Sequence, residues 1–508
     1  MAETTLYLAL TLIFLFVAQK LYRTKKSQRK LPPSPPGIPI IGHLHLQKPP
    51  LHRTYHRLAK KYGPIFSLRY GSRLVVVVSS ASAIEECFTK NDIILANRPK
   101  FLVAKHVGYN YTAMDYAPYG DHWRNLRRVS TMELLSNHRL NLLLYVRKEE
   151  LKRVITKLYR ESSQGFAKVE LKSIFRHLTL NTMMRMITGK RYFGEEVTEV
   201  KEASEFKKLI KELSTCYDSS NPGDFFPIWN WIDGGRYEGK LIKLAARFDE
   251  FMQGIVDECR SKLNLESPKT LVNILLRIQQ SESEYFTDEI IKGMVVVLLA
   301  AGTDTTSTTL EWVMTCLLRH PKILTKAKEE IDSRVGQNRF VDEPDVAKLS
   351  YLQNIISETL RLYPAVPVID PHMASEDCTI ETYDIPSGTV ILANAWALHR
   401  DPLLWEDADT FKPERFEGNG VPRSYMPFGL GRRSCPGMNL ALRVLGLTLA
   451  TLIQCFEWEK VCEDEDIDMT EGRGITMPKV VPLEAMCKAR PVMNSVLSLT
   501  DTIMYENS

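Results

Sequence analysis

The chain has 508 residues, 44% of them hydrophobic and 25% charged, so a large buried core can form. Its net charge of +5 resides in residues 1–30, which leaves residues 31–508 neutral and argues against nucleic acid as a partner. The nine cysteines stand singly without paired spacing, which fits a reducing compartment and no disulfide framework.

Residues 6–18 are apolar apart from Thr11, and the run stretches to about Leu21 through Gln19 and Lys20. A cleaved signal peptide is the competing reading, but the basic residues follow the apolar run and no small-residue cleavage site appears. Residues 1–30 therefore read as a membrane anchor with a basic stop-transfer segment, N-terminus lumenal and the rest cytosolic. The span falls short of the ~20 residues usual for a bilayer, which fits a thin membrane such as the endoplasmic reticulum. Residues 31–45 hold Pro32, Pro33, Pro35, Pro36 and Pro39 and predict a stiff, extended spacer. Residues 46–508 form the main domain.

Ile65–Tyr70 and Leu74–Val78 flank Gly71-Ser72 and predict a hairpin. A second strand region spans Cys378–Leu392, with Pro386-Ser387-Gly388 as its turn. Helical periodicity covers Ala83–Thr89, Leu140–Tyr159, Val200–Leu213, Lys240–Leu263, Thr287–Arg319 and Ile323–Val335, with an aromatic loop over Asn221–Gly235. The helix from Thr287 has a cap, acids in its first turn and His320-Pro321 as its end, for roughly 50 Å of length. Its middle, Ala301–Thr309, reads AGTDTTSTT, poor helix formers in a long helix. Either the hydroxyls bond back and bend the helix, or the break makes room for chemistry.

The stretch PFGLGRRSCPG, Pro427–Gly437, carries Cys435 among Gly429, Gly431 and Gly437, with Arg432 and Arg433 close by and an apolar helix following. Glycines let backbone N–H groups approach the sulfur; these, the arginines and the helix start favour a thiolate. A buried structural cysteine does not explain this surrounding, and a zinc site would need a second cysteine or histidine two to four residues away. A single thiolate on a flat cofactor fits better.

The pattern F-x-x-G-x-R-x-C-x-G is complete in Phe428, Gly431, Arg433, Cys435 and Gly437, and it resembles the haem loop of the cytochrome P-450 family, plant microsomal type. The resemblance implies a mainly α fold with small β-sheets, a long central helix across the haem and one N-terminal transmembrane helix before it. It implies haem b with Cys435 as axial thiolate, and electrons from NADPH through a separate reductase, NADPH–cytochrome P-450 reductase. In AGTDTT it makes Thr305 the hydroxyl that hands on a proton during oxygen activation, and Asp304 its relay from solvent. It places Trp123, Arg127 and Arg433 on the haem propionates, with His372 at a position often held by arginine. Glu358, Arg361 and Arg415 match a structural triad, and Arg124, Arg128 and Arg432 form a basic patch for an acidic redox partner. The interval Asn221–Gly235 would dip into the bilayer beside the substrate route.

Substrate contacts carried over from the family are Met114, Val297, Leu298, Val366, Val368, Ile369, Asp370 and Ile475. They are apolar except Asp370, so a lipophilic ligand held by shape is expected, with Asp370 accepting a hydrogen bond from a substrate hydroxyl or capping a backbone N–H. After Lys30 the chain looks most like plant enzymes that hydroxylate isoflavones, flavonoids and lignans; a terpenoid is the alternative substrate. A peroxide-using isomerase or dehydratase would lose the Thr305 hydroxyl, and a membrane binding protein would have no need of AGTDTT.

Overall fold

The computed structural model describes residues 29–194, 200–218, 221–263, 270–418 and 422–493, together with Tyr7, Leu10, Thr11, Ile13 and Phe14. Apart from those five and Arg29 and Lys30, the expected anchor lies outside the described residues. The main helices are α1 (Leu51–Tyr62), α2 (Ala81–Phe88), α3 (Asp121–Val129), α4 (Leu144–Ser162), α5 (Leu171–Thr188) and α6 (Val200–Asp218). They continue with α7 (Arg236–Ser261), α8 (Asp288–Arg319), α9 (Pro321–Arg334), α10 (Ser350–Leu362) and α11 (Met438–Cys455). The strands are β1 (Ile65–Tyr70), β2 (Arg73–Val78), β3 (Ala167–Glu170), β4 (His372–Met373), β5 (Cys378–Ile380), β6 (Tyr383–Ile385), β7 (Val390–Ala393), β8 (Phe456–Glu459) and β9 (Glu484–Ala489).

The expected hairpin forms, with Ile65 opposite Val78 and Gly71 at φ +56° in its turn. The second strand region departs from expectation. Its hairpin, β5–β6, turns at Glu381-Thr382, where the Glu381 N–H is taken by Glu86 Oε2 at 2.7 Å. Pro386–Gly388 instead carries the chain to β7, which runs parallel to β2 in a sheet ordered β1-β2-β7-β4. All four residues of β7 are buried, as are Val75–Val78, so this run pairs where both sheet faces are covered rather than with the half-exposed β6. The C-terminal residues Glu484–Ala489, unread from sequence, form the central strand of β3-β9-β8.

The period over Leu140–Tyr159 resolves into Asn137–Leu142 and α4, separated at Leu143. The aromatic loop contains a short helix, Pro227–Ile232, with proline in its first turn, where a missing N–H costs nothing. Phe225 packs edge-on against Tyr70, while Trp231 is 82% exposed. The proline-rich spacer is docked rather than free: Pro33 O accepts from Ser67 N at 2.8 Å and Pro32 O from Ser67 Oγ at 2.9 Å.

Helix α8 organises the core. Thr287 Oγ1 accepts from Ile290 N, Asp288 and Glu289 face the helix dipole, and 32 residues span about 48 Å. Ile291 to Leu299 lie in a helical core shared with α5 and α7, and Leu310 to Leu318 in another shared with α10 and α11. The polar stretch Ala301–Thr309 sits between the two. Helices α8 and α11 are long and apolar enough to cross a membrane, but 67% and 72% of their apolar windows are buried in protein, which makes them core helices.

Candidate functional site

Cys435 reaches its place through two left-handed glycines, Gly429 at φ +71° and Gly431 at φ +70°, a region costly for other residues. A Cβ on Gly431 would lie 2.4 Å from Asp92 Oδ1, so the loop seats closely against the end of α2. Cys435 N–H donates to Phe428 O at 2.9 Å, closing the loop, and α11 begins three residues later. Gly437 leaves space beside the sulfur; a Cβ there would stand 3.8 Å from Sγ.

The sequence points to a thiolate favoured by its surroundings, and the structure corrects that. Cys435 keeps an open face, but burial on its other sides pushes the thiol above its ordinary value. The Gly437 N–H and the Arg127 charge offset this only in part, while Asp115 and Asp370 add to it. Arg432 contributes little, since Asp92 holds it at 3.3 Å. A bound cation would supply the charge that stabilises a thiolate here. Among the described residues no group of three His, Cys, Asp or Glu could hold a metal, so this sulfur suits an ion that brings its other ligands with it, as haem iron does.

The candidate propionate ligands gather beside this loop. Trp123 and Arg127 share a face of α3, and Arg127 donates to Ser434 O at 2.6 Å, next to the cysteine. Arg433 lies 4.6 Å over the Trp123 ring and donates to Ala96 O and Met114 O. Burial, with Arg98 and Arg127 adding to it and Asp115 opposing, pulls the Arg433 guanidinium down to about 9. Burial also lowers Arg127. Crowded, partly desolvated guanidiniums call for anions, and haem propionates meet that need. His372 differs: its Nδ1–H donates to Leu95 O at 2.7 Å, and burial brings the ring down to about 3. The neutral ring therefore offers a lone pair on Nε2, and it serves a carboxylate only after taking up a proton. Sequence reasoning missed Arg98, whose guanidinium donates to Asp115 O, Asp370 O and Pro371 O at 2.8–3.1 Å; a loop arginine carries no periodic signal.

On α8, Ala301 is exposed and Gly302, Asp304 and Thr305 are half-buried, although the helix on both sides is covered. The anticipated break is absent. Thr305 Oγ1 donates to Ala301 O at 2.6 Å, and Thr303 and Thr309 make the same bond one turn back, so the helix stays continuous. Burial raises the Asp304 carboxyl above its ordinary range, with the Arg176 charge opposing.

The substrate candidates do not form one wall. Met114, Val297 and Leu298 share the helical core. Ile369 approaches the cysteine loop, its Cγ2 4.0 Å from where a Gly429 Cβ would sit, while Val368 packs in the β1–β2 cluster. Val366 is half-buried, Asp370 is exposed, and Ile475 is 47% exposed. In the Ile475 segment it is Met477 that is fixed: its carbonyl accepts from Trp312 Nε1 at 2.7 Å and its N–H donates to Ala365 O.

Comparison with known proteins agrees with this geometry. The profile of the family described as Cytochrome P450 matches residues 32–482. The chain is 51% identical over 98% of its length to "Cytochrome P450 81Q32" of Catharanthus roseus, covering 99% of that protein. It is 51% identical to "Isoflavone 3'-hydroxylase" of Medicago truncatula, with 96% of this chain and 99% of the relative aligned. It is also 51% identical to "(+)-piperitol/(+)-sesamin synthase CYP81Q2" of Sesamum radiatum, with 98% and 99% aligned. An isolated cysteine in a glycine loop, crowded and partly desolvated guanidiniums beside it and a family match across the main domain converge on one conclusion: the chain belongs to the cytochrome P450 family and is a haem-thiolate monooxygenase.

Proposed function

We propose that this monooxygenase acts on a lipophilic plant phenolic, an isoflavonoid, flavonoid or lignan, by hydroxylation or closure of a methylenedioxy bridge. The observation that carries the substrate class is the near-full-length similarity to relatives named as an isoflavone hydroxylase and a sesamin synthase. In this reading Cys435 is the axial ligand, and Phe428 and Gly437 shape its loop. Arg127, Trp123 and Arg433 hold the propionates, with His372 joining them once protonated. The haem, when bound, supplies the activation of dioxygen. Thr305 Oγ1, which now donates to Ala301 O, turns its proton into the cavity and recovers one from Asp304; burial keeps that carboxyl protonatable. Met114, Val297, Leu298, Val366, Val368, Ile369 and Ile475 remain the candidate apolar contacts, with Asp370 the one polar member.

The chain sits on the endoplasmic reticulum membrane through one N-terminal span, residues 1–30, with residues 31–45 as hinge and residues 46–508 in the cytosol. Exposed Trp229, Trp231 and Ile232 support contact of their own segment with the bilayer. Arg124, Arg128 and Arg432, on the cysteine side, suit an acidic NADPH-fed reductase. The test is expression of the full chain in membranes with reductase, NADPH and a panel of phenolics and terpenoids, read by product mass. One added oxygen, or loss of two hydrogens, on a phenolic is the expected result. Turnover of terpenoids alone overturns the substrate class.

A further inference from the structure

Asp115 and Asp370 come from segments far apart in sequence, yet one guanidinium fastens both. Arg98 Nε donates to Asp115 O at 3.1 Å, and its NH1 donates to Asp370 O at 2.9 Å and to Pro371 O at 2.8 Å. Arg433 pins the residue before Asp115 through Met114 O at 3.1 Å. With their backbones held this way, the two residues flank a fixed arginine, and Asp370 follows Ile369, which lies against the cysteine loop. Among the described residues, neither carboxylate accepts a hydrogen bond or forms an ion pair. Both charges act on Cys435, and burial, with the Asp370 charge adding to it and the Arg98 and Arg433 charges opposing, raises the Asp115 carboxyl to about 6. Two acceptor groups therefore flank one fixed arginine beside the cysteine loop.

We propose that Asp115 and Asp370 form a paired acceptor that selects substrates presenting a free hydroxyl group to this corner and rejects the corresponding O-methyl ethers. This rests on the assignment of the cavity to phenolic substrates. An ionised carboxylate has only lone pairs to offer, so a ligand must bring the proton. A phenol O–H does so with a charge-assisted bond, whereas a methyl ether brings no proton and displaces the water that the carboxylate would otherwise bind. The selectivity then comes from rejection as much as attraction.

The test is a spectral titration of the haem-loaded, full-length protein with a free-phenol isoflavone and its O-methyl ether, with equilibrium dialysis as a second measure. The wild type should bind the phenol about ten- to a hundredfold more tightly, the effect of one hydrogen bond to a charged group. Asp370→Val and Asp115→Ala should each shrink that ratio, and the double variant should bring it near unity. Asp370→Asn should keep part of it, because the amide oxygen still accepts. An undiminished ferrous carbon-monoxide thiolate band certifies that each variant is folded. Equal binding of phenol and ether by the wild type overturns the proposal while leaving the phenolic class intact. Binding of terpenoids with no phenolic bound removes the class itself. An ammonium analogue that outcompetes the phenol, and loses its advantage in the Asp variants, overturns the hydroxyl assignment in favour of a cationic substrate.

Discussion

Glu358 and Arg361 have no exposed side-chain surface, yet both are charged residues. Arg361 reaches Glu358 with two bonds of 2.7 and 2.9 Å, and Arg415 adds a third at 3.0 Å. The remaining donors of Arg361 go to His399 O, Ala408 O and Thr410 O, which fixes the segment leading to the cysteine loop. Such a pair need not be more stabilising than apolar residues, but removing one member leaves an uncompensated buried charge. Glu358→Ala should therefore cost about 3–5 kcal/mol, seen as a lower denaturation midpoint and a reduced yield of thiolate-ligated haem. An unchanged midpoint would show that the arginines find other partners. This triad was legible in sequence because three-residue spacing puts Glu358 and Arg361 on one helix face. Arg98 and Asp115 were not, since loop residues acquire their neighbours only through tertiary folding.

At the scale of elements, α8 shows why local propensity misleads. Glycine and threonines in its middle predict a break, but helix packing overrides a few tenths of a kcal/mol per residue. Gly302 has a packing reason to be there: a Cβ would meet Met183 Sδ of α5 at 2.7 Å. Boundaries and caps of α8 were readable because Thr287, the first-turn acids and Pro321 are local signals. The partner of β7 was not, because its choice between β6 and β2 depends on which surface is covered. Gly302→Val should destabilise by about 1–3 kcal/mol through overpacking. In a double-mutant cycle, Met183→Ala should recover much of that loss, because the clash is with a side-chain end rather than backbone. Additive losses would place the strain elsewhere. The thermal midpoint of the four proteins decides between these outcomes.

The molecule as a whole is tied together by buried polar groups spanning hundreds of residues. Glu471 binds His52 at 2.7 Å and Arg53 at 2.6 Å, joining α1 to the C-terminal loops. Burial works against the charged Glu471, but the His52 and Arg53 bonds outweigh it and bring the carboxyl to about 2. Its contribution is thus complete above the unfolded carboxyl range near pH ~4.3 and is lost only as pH falls toward 2. The buried histidines act earlier. His399 accepts from Met426 N at 3.0 Å with Nε2, and burial, reinforced by Arg361 and Arg400, lowers it to about 3; His372 is lowered to about 3 as well. Unfolded histidine takes up a proton near pH ~6.5, and the folded rings do not until about pH 3. The unfolded state therefore binds more protons across that window, and stability falls with pH by about 1.4 kcal/mol per unit per histidine. Between pH 7.5 and 5.5 His399 should cost about 1.4 kcal/mol, before Glu471 contributes at all, and His372 should add as much in the haem-free protein, where no propionate draws a proton onto it. His399→Gln, which keeps an acceptor for Met426 N, should lower the pH dependence of the unfolding free energy by about one proton below pH 6. Denaturant titrations at several pH values measure it, and an identical slope in wild type and variant would mean that His399 is protonated in the folded protein.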